Sequence, residues 1–254
     1  MENSPLMHVP AEVRMMIYAY LFDDGGNKKL HIQNAGAGKL PKAENRRRSR
    51  YWVVERSFHR RCHHTTYRLE TEGISLCAPL MRVNKTIYEE TSYLVYGKHT
   101  FDFGSNIEAV EPFLSDLTPK SRELIQEIAL YKRSSVPLYE TDRSEWRNVC
   151  QFLQKHGSIK KLRLMVQGAR PNALWEGPKE FSASELKLLF DLKHESLDWV
   201  GELACVKGIE DLEITPDVHY CPPPSSTNMI IFAALSASIE RGLTEFLKMQ
   251  LRLP

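Results

Sequence analysis

Three short apolar runs of one form, I-x-x-[IL]-x-[LI], constrain this 254-residue chain more than any other feature. They are Ile125/Ile128/Leu130, Ile159/Leu162/Leu164 and Ile209/Leu212/Ile214. The last two apolar residues of each run alternate with other residues, the period of a strand with one buried face. Helical segments are predicted between and after the runs, over 142–156, 182–190, 195–206 and 228–247. Strands that alternate with helices predict parallel pairing through crossover connections, an α/β (or α+β) architecture. The pattern has the flavour of a leucine-rich repeat. Its intervals of 34 and 50 residues are too long and uneven for a horseshoe, so an irregular strand-and-helix layer is expected. A buried strand beside a helix gives the same pattern without any repeat.

The N-terminal part reads differently. A helix is predicted from Pro10 to Phe22, with proline in the first turn, where its missing N–H costs nothing, and Glu12 near the positive end of the helix dipole. Val13, Met16, Ile17, Tyr20 and Leu21 share one apolar face, and Asp23-Asp24-Gly25-Gly26 ends the helix. A second helix is predicted over 79–96, lined by Leu80, Val83, Ile87, Thr91, Leu94 and Val95 and stopped at Gly97. Short strands are expected over 28–34 and 99–103, with further strand-like runs within 51–77. Two regions follow from this reading, 1–104 and 105–254, closely packed on each other.

Charge is the clearest compositional feature. Net charge is only +2, yet residues 39–68 hold ten Lys or Arg against two Glu, a net of +8, which leaves −6 for the rest. The glycine- and arginine-rich stretch 35–50 reads as a loop, and the basic insertion as a whole extends over about 35–68. Arg46, Arg47, Arg48 and Arg50 are candidates for nuclear import or phosphate contact, and the bland alternative is a solvated surface loop.

Two segments carry a family resemblance. Leu6–Phe22 (LMHVPAEVRMMIYAYLF) resembles the opening of an F-box, and Leu80–Phe103 (LMRVNKTIYEETSYLVYGKHTFDF) resembles the later segment of fungal F-box-like proteins. The chain looks like the fungal F-box-like or EXR-type group, with Glu12-Val13-Arg14 as the triplet. It departs from the usual pattern because residues 23–79 separate the two halves and no tryptophan follows Val83-Asn84-Lys85. The resemblance implies a small helical module packed on an α/β region, without enzymatic activity. It also implies a protein partner, with a ubiquitin-ligase adaptor as a candidate that the departure weakens. Pro10, Glu12, Val13, Ile17, Tyr18 and Leu21 are the candidate docking residues. The competing reading is that Val13, Ile17 and Leu21 pack on the second helix.

The chemical alternatives are sparse. His59, Cys62, His63 and His64 are crowded together and make a poor tetrahedral zinc site. Gly36-Ala37-Gly38-Lys39 lacks the first glycine and the Ser/Thr of a phosphate loop. No G-x-S-x-G, H-E-x-x-H or G-x-G-x-x-G occurs, so neither a cofactor nor an enzyme is expected. Five scattered cysteines, no signal-peptide pattern and no apolar run long enough for a membrane place the chain inside the cell, in cytoplasm or nucleus. A protein-interaction module is the leading reading. A nucleic-acid-associated nuclear protein using 39–68 and an enzyme with a spatially assembled site are the alternatives.

Overall fold

The computed structural model describes residues 5–22, 29–34, 49–54, 60–65, 67–70, 79–133, 140–171 and 180–253. The three apolar runs become three parallel strands in register: β6 (Glu127–Lys132), β7 (Lys161–Pro171) and β8 (Asp211–Cys221). Ile128 lies opposite Leu162 and Leu162 opposite Leu212, while Leu130, Leu164 and Ile214 form the next core-facing row. The first row continues through Phe101 of β5 (Thr100–Asp102) to Leu30 of β1 (Lys29–Asn34). Leu30, Phe101, Ile128, Leu162 and Leu212 are all buried. β4 (Tyr67–Glu70) pairs antiparallel with β1 and completes a six-stranded sheet of order β4-β1-β5-β6-β7-β8. The chain is therefore α/β, and its sheet runs across the position, near residue 104, where the two regions were divided.

Helices fill the connections between strands. α3 (Val110–Ser115) and α4 (Pro119–Leu124) lie between β5 and β6, α5 (Glu140–His156) between β6 and β7, and α6 (Ala183–Asp191) and α7 (Asp198–Ala204) between β7 and β8. α8 (Thr227–Ala237) and α9 (Thr244–Leu251) follow, joined by a π-helical turn at Ile239–Leu243. Local chemistry sets their ends. The Thr118 hydroxyl accepts from Ser121 N–H ahead of α4, with Pro119 in the first turn, and Ser182 and Glu185 form a capping box at α6. Against the sheet, the Trp146 indole of α5 meets Trp199 of α7 edge-to-face at 5.8 Å and donates to the Trp199 carbonyl at 3.0 Å.

The helices cover the strand face that carries the apolar rows. At Gly168 a side chain would meet Ser236 Cβ and Ile239 Cδ1 at 3.0 Å, so glycine lets α8 settle on β7, and Ser236 Oγ accepts from Ala169 N–H there. No described helix covers the opposite face, and Met165 there, in a strand with neighbours on both sides, is 45% exposed. Strand β8 forms one border of the sheet and has a proline, Pro216, at its middle.

Three sequence expectations change. The loop expected over 35–50 ends earlier, because Ser49 and Arg50 already belong to β2 (Ser49–Val54), which pairs antiparallel with β3 (Arg60–Thr65) inside the basic insertion, where strand-like runs were expected from residue 51. The β-forming run Tyr51-Trp52-Val53-Val54 outweighs the flanking arginines there. The helix expected over 79–96 is two pieces, a 3-10 turn at Leu80–Arg82 and α2 (Lys85–Tyr96), because the Asn84 side chain caps the second by accepting from Ile87 N–H at 2.8 Å. The helix expected over 228–247 is interrupted by the π-helical turn.

Gly242 in that turn faces the Phe181 carbonyl oxygen so closely that any Cβ would overlap it. Gly242→Ala is expected to lower stability by about 3 kcal/mol or more, read by urea unfolding, because backbone rather than a flexible side chain must yield.

Candidate functional site

α1 (Ala11–Leu21) and α2 are the two halves of the F-box-like resemblance, and they pack together. Pro10 is the exposed residue that precedes α1, and Glu12 is exposed in its first turn. Arg14 decides which way the helix faces. Its guanidinium donates to both carboxylate oxygens of Glu90 on α2, with Nε at 3.1 Å from Oε2, and to the Val9 carbonyl at 2.6 Å. One turn on, Tyr18 is fully buried, and Phe22, Ile87, Leu94 and Val95 complete the small core, with Met15 and Leu21 partly buried against it. The hydrogen bond from Arg14 holds the Glu90 carboxyl below its ordinary range. Burial, and then Glu90, push the Tyr18 hydroxyl up.

This arrangement corrects the predicted apolar face. Val13 and Ile17 are not part of the core that α1 shares with the second helix: they are 43% and 37% exposed, with Met16 at 72% and Tyr20 at 84%. The inward face is Arg14, Tyr18 and Phe22, with Leu21 at its margin, and Tyr18 is a core residue rather than a docking residue. Val83, expected on the inner side of the second helix, is exposed as well. The outward residues of α1 keep the spacing 13, 16, 17, 20, a narrow stripe over about two helical turns. Of the docking candidates, Glu12, Val13 and Ile17 stand outward beside Met16 and Tyr20. Arg46, Arg47 and Arg48 lie outside the described residues, as do the Gly36–Lys39 segment and His59. Arg50 is on β2 opposite His64, and Cys62 and His63 are on β3. Among the described residues no three His, Cys, Asp or Glu side chains gather as metal ligands.

A second feature lies at the carboxyl end of β6, the end at which open α/β sheets place ligands. A cleft lined by Ser105, Ile107, Tyr131, Lys132, Arg133, Asp142 and Glu145 has room for about one water molecule, too little for a substrate. Lys132 follows Ile128 and Leu130 on the core side of the strand and is buried, its amine 5.7 Å and 5.9 Å from the rings of Trp146 and Trp199. It donates to the Arg133 carbonyl at 2.8 Å. Desolvation brings its pKa down to about 8, partly offset by Asp142. Desolvation, with the Glu108 and Asp142 charges, raises Glu145 to about 7. Sequence reasoning missed both groups, since a lysine closing an apolar strand looks like an ordinary strand end.

The unfolded chain keeps Lys132 protonated to about pH 10.5 and the folded chain only to about pH 8. The folded state therefore binds fewer protons between these values. The destabilisation is complete below pH 8 and is relieved as pH rises towards 10.5. Its upper size is about 3 kcal/mol. Lys132→Met is expected to be more stable than the parent in urea at pH 7, with the advantage shrinking between pH 8 and 10. Glu145 acts in the opposite sense: it removes stability as pH rises from 4.5 to about 7, and Glu145→Gln should flatten that slope.

The helical pair, the sheet up to β7 and α6 fall within one family match. A profile described as a domain of unknown function, DUF7730, matches residues 1–194, and α7, β8, α8 and α9 lie beyond it. No curated protein and no solved structure matches the chain. With most of its length matched, the chain belongs to the DUF7730 family, a domain of unknown function.

Proposed function

We propose that the chain is a protein-interaction module of the F-box-like type, with the outer stripe of α1 as the surface that takes the partner. One observation carries the reading: Val13, Met16, Ile17 and Tyr20 stand outward on a helix whose opposite face is already fixed by Arg14–Glu90 and Tyr18. An apolar stripe that the fold does not need for its own core is the usual mark of a contact surface. A stripe about two turns long and one side chain wide fits a single helix of another protein, met knob-to-hole along α1. A helical adaptor of a ubiquitin ligase is the first partner to test, since the resemblance names that class. The long separation between the two halves is no obstacle to this geometry, because α1 and α2 pack side by side. We place the protein in the cytoplasm or nucleus; among the described residues no helix is long and apolar enough to cross a membrane.

The test is a titration of purified adaptor against the full chain, alongside quantitative capture from lysate with wild type and with Met16→Asp/Tyr20→Asp. The paired substitution is expected to weaken binding about tenfold or more, equivalent to about 1.4 kcal/mol. Both positions are exposed, so the unfolding temperature should stay within a few degrees of wild type. If no protein, the adaptor included, distinguishes the two forms, the stripe is not a docking surface.

A further inference from the structure

The sheet face that no described helix covers differs from α1 in position, chemistry and shape. Across β6, β7 and β8 its rows read Glu127–Lys161–Asp211, Ala129–Arg163–Glu213, Tyr131–Met165–Thr215 and Gln167–Asp217. The second row continues to Asp102 and His31. Ala129 and Thr215 are short, so the floor beside Met165 is low, and the half-exposed methionine is a flexible apolar contact at its centre.

Both cations of these rows are already engaged. Lys161 pairs with Asp211 at 3.0 Å, and Arg163 with Glu127 at 2.5 Å and Glu213 at 3.5 Å. Four carboxylates, Glu127, Asp211, Glu213 and Asp217, face these two cations, which leaves this side of β6 to β8 with an excess of negative charge. The excess lies along β8, which carries Asp211, Glu213 and Asp217 and no Lys or Arg. Asp217 is held by the Tyr131 hydroxyl at 2.6 Å and by the His219 ring at 3.3 Å.

We infer that this face docks an extended protein segment bearing lysine or arginine. Glu213 and Asp217 are four residues apart on one strand, roughly 13 Å. An extended segment laid along β8 repeats its side chains at the same interval. Basic residues at i and i+4 then reach the two carboxylates, and an apolar residue at i+2 rests over Thr215 and Met165. Polyanions and acidic segments meet like charge on the same surface and are excluded. The inference is independent of the α1 stripe, and β8 lies outside the part of the chain that the family profile matches.

The test is selection of short random displayed peptides on the full chain at about 0.15 M salt. Synthetic versions of the enriched sequences are then measured by fluorescence anisotropy. Enrichment of Lys or Arg spaced four apart around an apolar residue is expected. Met165→Lys and Glu213→Gln should each weaken the synthetic peptide, the first by about tenfold. Tyr20→Asp should leave its affinity unchanged, which separates this surface from α1. Absence of enrichment, enrichment of neutral or acidic sequences, or unchanged affinity in Met165→Lys overturns the inference. Loss of binding in Tyr20→Asp does so as well, because it moves the peptide to α1. Met165 is exposed, so both the circular dichroism and the unfolding temperature of Met165→Lys should match wild type.

Discussion

The row of Leu30, Phe101, Ile128, Leu162 and Leu212 is the constraint on which the structure depends. Each of these side chains contributes on the order of 1.5–3 kcal/mol by leaving water, and together they fix the register of five parallel strands. A one-residue slip in any strand would turn its apolar side chain to the solvent side and bring a polar one into the core. Ile128, Leu162 and Leu212 are the middle residues of the three repeated runs, so the repeat is a statement about register as much as about strands. With α5, α7 and α8 gathered over the apolar rows, the other face keeps its polar side chains.

The N-terminal pair of helices obeys a different logic. α1 has two apolar sides, and propensity alone does not choose between them. The choice is made by a charge-assisted hydrogen-bonded pair between Arg14 and Glu90, 76 residues apart in sequence. Once Arg14 is turned towards α2, helical geometry brings Tyr18 and Phe22 in behind it and sends Val13, Met16, Ile17 and Tyr20 outward. Structure and proposed function therefore meet in one residue: the interaction that holds the module together also determines which stripe is left for a partner.

This explains what was legible in the sequence. The strands β6 to β8 could be read because alternation and burial agree along each run. The start of α6 could be read because Ser182 and Glu185 carry a local capping signal. The inward face of α1 could not, since Met15, Tyr18, Leu21 and Phe22 are as apolar as Val13, Met16, Ile17 and Tyr20, and the deciding contact is tertiary. α3 and α4 are too short to show periodicity. In β2, residues 51–54 could be read as strand-like, whereas Ser49 and Arg50 could not because they close an arginine-rich stretch, and the π-helical turn has no local signature. Lys132 shows the same limit at the site level, because its burial between two tryptophans depends on where α5 and α7 land.

Pro216 gives the sheet's border a further property. A strand at the rim of a sheet offers unpaired backbone groups to any passing chain, and eleven residues would make a long adhesive edge. With no N–H at its midpoint, β8 breaks that edge into two short stretches, neither long enough to seed a continuous ladder. A sheet face that no described helix covers can therefore sit beside a border that is a poor template for fibres.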